Sequence, residues 1–167
     1  MSESLLFSEH SGEDWRGLIA NMLIERRWGL ATAESCTGGM IAAACTDLAG
    51  SSQWFDCGFV TYSNDAKTRM LGVEPSLLEQ HGAVSEAVAR AMAFGALRHS
   101  SAQVSVAVTG IAGPSGGCAG KPVGTVWFGW QVGERASSER MVFSGDRAAV
   151  RQATVDHALQ GLLMRLD

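Results

Sequence analysis

Short apolar stretches alternate along the 167-residue chain with segments of helical period, which points to a layered α/β domain. Trp15, Leu18, Ile19 and Met22 follow the i, i+3, i+4, i+7 rule, so Glu13 to about Trp28 reads as an amphipathic helix ended by Gly29. Leu30 to Ala33 is a short strand, and Thr37 to Leu48 a helix capped by Thr37 or Ser35. Trp54 to Tyr62, rich in aromatic and β-branched residues, reads as a strand, and Asn64 as the cap of a short helix over Asp65 to Leu71. Pro75 suits the first turn of another short helix ending near Gln80, and Ser85-Glu86 opens an alanine-rich helix to about His99. Gln103 to Thr109 has the unbroken apolar character of a buried strand. Gly124 to Val132 is the most strand-like stretch, with Arg140 to Phe143 beside it as a hairpin. Asp146 to Leu166 closes the chain as a helix with an apolar stripe of Leu159, Leu162, Leu163 and Leu166.

Helices then cover both faces of one sheet, and in such sheets ligands bind beyond the carboxyl ends of the strands. Three polar segments fall there: Glu34 to Gly39, Thr61 to Lys67, and Thr109 to Gly117. All three are placed to face one cleft.

The length and a 46% hydrophobic content support one domain with a real core, over residues 13–167 behind a polar tail, 1–12. A net charge of −4 argues against a general nucleic-acid binder, although a small anion needs only a local positive site. Met1 to Asp14 is polar and acidic, so no signal peptide is expected, and no apolar run approaches the roughly 20 residues of a membrane span. Cys36, Cys45, Cys57 and Cys118 are dispersed, which fits reduced thiols in a cytoplasmic protein. His10, His81, His99 and His157 have no metal-ligand spacing, and neither metal nor cofactor is expected.

Ser35, in "AESCTGG", sits at a strand-to-helix turn with Thr37, Gly38 and Gly39 opening the helix behind it. Free N–H groups at such a turn attract negative charge, and a hydroxyl there can be a nucleophile whose oxyanion those groups hold. The plainer reading makes Ser35 an N-cap. A serine nucleophile needs a base. In "FVTYSNDAKTRM", Lys67 can serve if burial lowers its pKa, and Tyr62 can relay the proton or orient the amine; the plainer reading is a strand-end tyrosine and a solvated lysine. "VAVTGIAGPSGG" ends a strand in Thr109 and continues through Gly110 and Gly113, a phosphate or ribose cradle or an ordinary long connection. It lacks both the Walker A pattern and the dinucleotide-fold spacing. Cys36 is a competing nucleophile if the helix start lowers its pKa.

Taken together, "AESCTGG", "GFVTYSNDAKTRMLGV", "HGAVSEAVA", "VTGIAGPSGG", "KPVGTVWFG" and "SGDRAAVRQA" resemble the CinA C-terminal domain family, in register from about Asp14 to Leu166. The stand-alone members of that family are nicotinamide-nucleotide amidohydrolases of the PncC type. The resemblance implies a three-layer α/β/α sandwich around a mixed, mostly parallel sheet of about five strands. It implies hydrolysis of the carboxamide of nicotinamide mononucleotide to nicotinate mononucleotide and ammonia, within pyridine nucleotide salvage, by a homo-oligomer with a dimer favoured.

On the same basis the catalytic positions are Ser35, Tyr62 and Lys67, with Thr109, Arg151 and Gln152 at the substrate. Lys67 or Tyr62 would take the proton of Ser35, and N–H groups near Thr37 to Gly39 would hold the oxyanion. The 5′-phosphate is expected against the Thr109–Gly117 loop or near Arg147 or Arg151, and the pyridinium ring at Glu34 or an aromatic neighbour. The pyrophosphatase-like domain of two-domain CinA proteins has no counterpart in this sequence, so its activity is not expected here. Two rival readings stay open: a non-catalytic nucleotide-binding module, and an amidase of another small carboxamide.

Overall fold

The computed structural model describes residues 14–167; the polar tail 1–12 and the predicted helix start at Glu13 lie outside the described residues. Six α-helices and five strands follow one another there: α1 (Trp15–Arg26), β1 (Leu30–Glu34), α2 (Met40–Thr46), β2 (Phe55–Val60), α3 (Asn64–Leu71), α4 (Pro75–His81), α5 (Glu86–Arg98), β3 (Val104–Gly110), β4 (Thr125–Val132), β5 (Arg135–Val142) and α6 (Arg147–Leu166). No helix among the described residues is long and apolar enough to cross a membrane.

The five strands form one mixed sheet in the order β2-β1-β3-β4-β5. β1 pairs parallel with both β2 and β3, whereas β4 runs antiparallel to β3 and to β5. Four of the five strands therefore point the same way, and the expected three-layer sandwich is observed. The connections explain the directions. Helical crossovers join β1 to β2 and β2 to β3, as parallel strands of one sheet require, while two residues, Gly133-Glu134, turn β4 into β5.

Alternation along the strands divides the interior into two cores. Val104, Val106 and Val108 of β3 pack with Ile19 and Leu23 of α1 and Leu159 and Leu162 of α6. Ala107 of the same strand turns to the other face, with Ala31, Ala33, Met92 and Ala93. Small residues let α5 approach the sheet closely: a Cβ on Gly129 would lie 2.5 Å from the Ala89 carbonyl oxygen.

Several helix ends differ from the sequence-based expectations. Gly29 does not end α1; Arg27 does, at a left-handed φ of 56°, because Trp28 N–H bonds the Leu23 carbonyl at 2.9 Å across it. Ser63, rather than Asn64, caps α3, its Oγ accepting from Ala66 N–H at 3.0 Å. α2 begins at Met40, three residues later than expected, since positive φ values at Gly38 (58°) and Gly39 (105°) hold the preceding turn. β5 is longer than the predicted Arg140–Phe143 because it pairs with β4 from the hairpin turn onward, and its polar first half, on a sheet edge, carries no apolar strand pattern.

Candidate active site

The parallel pairing of β1 and β2 brings the site together. Glu34 pairs with Val60, so the two residues that follow, Ser35 and Thr61, leave the sheet side by side. Ser63 then starts α3 at once, and the helix carries Lys67 back beneath that edge. Lys67 Nζ donates to Ser35 Oγ at 3.0 Å, to the Thr61 carbonyl at 2.9 Å and to the Tyr62 carbonyl at 3.3 Å. The side chain is 1% exposed and makes no ion pair among the described residues. Burial pushes its pKa down from 10.5 to about 8. A neutral amine held in this way keeps two N–H bonds on the carbonyls and turns its lone pair toward Ser35.

Ser35 is not a cap. The start of α2 is held by Glu34, whose Oε1 accepts from Ile41 N–H at 2.8 Å and from the Thr37 hydroxyl at 2.6 Å. Its Oε2 accepts from Ala42 N–H at 3.0 Å. Fully buried and engaged by three donors, Glu34 anchors the helix and offers no surface to a pyridinium ring, so the expected substrate contact is corrected. The N–H groups of Cys36, Thr37 and Gly39 have no acceptor among the described residues, as an oxyanion site requires. Cys36 is no rival nucleophile, because burial, reinforced by the Glu34 charge, pushes its thiol up to about 11.

Tyr62 is 63% exposed, and its phenol bonds neither Ser35 nor Lys67. The hydroxyl instead accepts from Arg147 Nη2 at 3.1 Å, while Arg147 Nη1 donates to the Gly113 carbonyl at 2.9 Å. The expected proton relay through the phenol is therefore replaced by a main-chain carbonyl that positions Lys67. Tyr62, Arg147 and the Gly113 loop thus meet through one guanidinium.

The remaining expected residues divide. Thr109 is buried and donates to the Ala83 carbonyl at 2.9 Å, tying β3 to the segment before α5. Gly110 has no Cβ because one would stand 2.9 Å from the Thr125 carbonyl oxygen, so its role is strand packing rather than ligand access. Arg151 faces the Ser35 loop: Nε donates to the Cys36 carbonyl at 3.1 Å and Nη2 to the Thr37 carbonyl at 3.2 Å. Gln152 does not reach the site; it is exposed and bonds Asp156 one turn along α6 at 3.1 Å. Sequence reasoning missed the Thr61 and Tyr62 carbonyls, which carry no side-chain signal. Ser63, a favoured N-cap residue type just before the helical run, was the available sign of where α3 starts.

The family model "CinA C-terminal domain" matches residues 13–166. "Nicotinamide-nucleotide amidohydrolase PncC" of Enterobacter agglomerans is 56% identical over 146 residues, 87% of this chain and 89% of that one. The protein of the same name from Pseudomonas putida is 59% identical over 132 residues, 79% and 82% of the two chains. Among solved structures, the competence damage-inducible protein A of Klebsiella pneumoniae superposes with a TM-score of 0.88 at 43% identity, covering 91% of this chain and 94% of its own. By sequence and by fold, this chain belongs to the CinA C-terminal domain family.

Proposed function

We propose that this protein hydrolyses the carboxamide of nicotinamide mononucleotide, giving nicotinate mononucleotide and ammonia for pyridine nucleotide salvage. The observation that carries the chemistry is the 3.0 Å contact between Ser35 Oγ and a buried lysine amine whose pKa has fallen to about 8. The names of the PncC relatives supply the substrate.

Neutral Lys67 takes the Ser35 proton as Oγ bonds to the carboxamide carbon, and free N–H groups of the 36–39 loop receive the oxyanion. The C–N bond breaks as the Lys67 ammonium returns the proton to the departing nitrogen, which leaves as ammonia. Water then attacks the Ser35 ester, its proton going to Lys67 and back to Oγ. Arg147 supplies a cation for the phosphate, and the exposed ring face of Tyr62 suits the pyridinium.

Ammonia release from nicotinamide mononucleotide tests the proposal. No ammonia above a no-enzyme control, with nucleotide binding retained, would indicate a binding module. Equal rates on nicotinamide, its riboside and its mononucleotide would indicate a less selective amidase.

A further inference from the structure

Arg151 was expected at the substrate, yet its outward Nε–Nη2 edge is occupied by main chain. Both of these nitrogens donate to consecutive carbonyls, Cys36 at 3.1 Å and Thr37 at 3.2 Å, in the turn that follows Ser35. Gly38 packs against the same group: a Cβ there would lie 3.5 Å from Nη2. The Asp146 cap starts α6 and so sets the turn of helix that carries Arg151.

In a trans peptide the carbonyl and N–H point in opposite directions. A guanidinium on the Cys36 carbonyl therefore fixes Thr37 N–H on the opposite face of that peptide. The next peptide is fixed likewise, with Gly38 N–H closing the turn onto the Ser35 carbonyl at 3.1 Å. A cation on the oxygen of a peptide also polarises it, and a polarised N–H is a stronger donor. Two neighbouring residues and one distant one thus act on one turn: Glu34 grips its far end through Ile41 and Ala42, Ser35 begins it, and Arg151, from α6, holds its back.

We infer that Arg151 is a positioning residue that orients and polarises the Cys36–Thr37 peptide, whose free N–H faces the oxyanion beside Ser35, and braces the next peptide of the same turn, and is not a phosphate ligand. The kinetic side of this inference rests on the proposed amidohydrolase reaction; the structural side does not.

Two measurements test it on Arg151→Met and Arg151→Lys, with melting temperature as the control for folding. In amide NMR, Arg151→Met shifts the Thr37 and Gly38 resonances and speeds exchange of the Gly38 and Met40 amides about tenfold, leaving β3 amides unchanged. Resonances and exchange like those of the wild type across Cys36 to Met40 would overturn the clamp. In kinetics, Arg151→Met lowers kcat about ten- to a hundredfold on nicotinamide mononucleotide, with KM moved less than about threefold. The fractional loss is the same on nicotinamide riboside, which has no phosphate. Arg151→Lys recovers only part of kcat, since a flexible, strongly hydrated ammonium lacks the planar two-nitrogen edge that holds the two carbonyls in fixed relation. A KM increase confined to the mononucleotide, with kcat kept, would make Arg151 a phosphate ligand and overturn the inference. Absence of wild-type ammonia release would refute the proposed function instead, and the NMR result alone would then decide the clamp.

Discussion

Arg147 Nη2 donates to the Tyr62 hydroxyl at 3.1 Å, joining the first turn of α6 to the segment that follows β2, 85 residues earlier. The same guanidinium holds the Gly113 carbonyl, so a single cation gathers three segments at the mouth of the site. Arg147→Ala is expected to raise KM for nicotinamide mononucleotide about ten- to a hundredfold, the loss of one charge-assisted phosphate contact. KM for nicotinamide riboside should hardly move. Steady-state kinetics on both substrates check this, and equal effects on the two would remove phosphate binding from Arg147.

Ser35→Ala should lower the rate of ammonia release by several orders of magnitude. Because Glu34 rather than Ser35 secures α2, the variant should stay within about 1 kcal/mol of wild-type stability. Turnover and melting temperature on the same samples separate the two effects. An early-melting variant that still turns over would return Ser35 to a structural role.

The pH dependence follows from Lys67. Its folded pKa, about 8, lies below the 10.5 of a free lysine, so the fold favours the neutral amine. kcat/KM should rise with pH and level off above about 8, as expected for a base that must first lose a proton. Stability should carry the matching sign. Between about 8 and 10.5 the unfolded chain binds the extra proton, so the stability contributed by Lys67 increases with pH across that window. Lys67→Met removes both trends. A rate profile flat from pH 6 to 9 would exclude Lys67 as the base.

Glu34→Ala should destabilise the fold by about 2–3 kcal/mol, because two N–H groups and the Thr37 hydroxyl lose a buried charged acceptor. Urea unfolding reads the effect directly. A loss below about 0.5 kcal/mol would mean that the carboxylate does not anchor α2.

The element order was largely legible from hydrophobic period and turn residues, and the family resemblance supplied the sheet and the identities of Ser35 and Lys67. What remained hidden depends on pairing between distant segments. The approach of Lys67 to Ser35 follows from the Glu34–Val60 register, which no local window contains. Glu34 read as a contact for the pyridinium because a carboxylate complements a cationic ring, yet its partners are N–H groups seven and eight residues on. The family resemblance had placed Arg151 at the substrate. Its partners are carbonyls 115 and 114 positions earlier, and backbone acceptors have no sequence signature.

The hairpin tip Gly133-Glu134 has a practical consequence. Val132 pairs with Val104, at the start of β3, so this tip sits at the end of the sheet opposite Ser35 and Lys67. Glu134 is exposed, and a Cβ on Gly133 would meet nothing within 4 Å. A tether attached at Glu134 would therefore immobilise the protein with its Ser35–Lys67 end facing the solution.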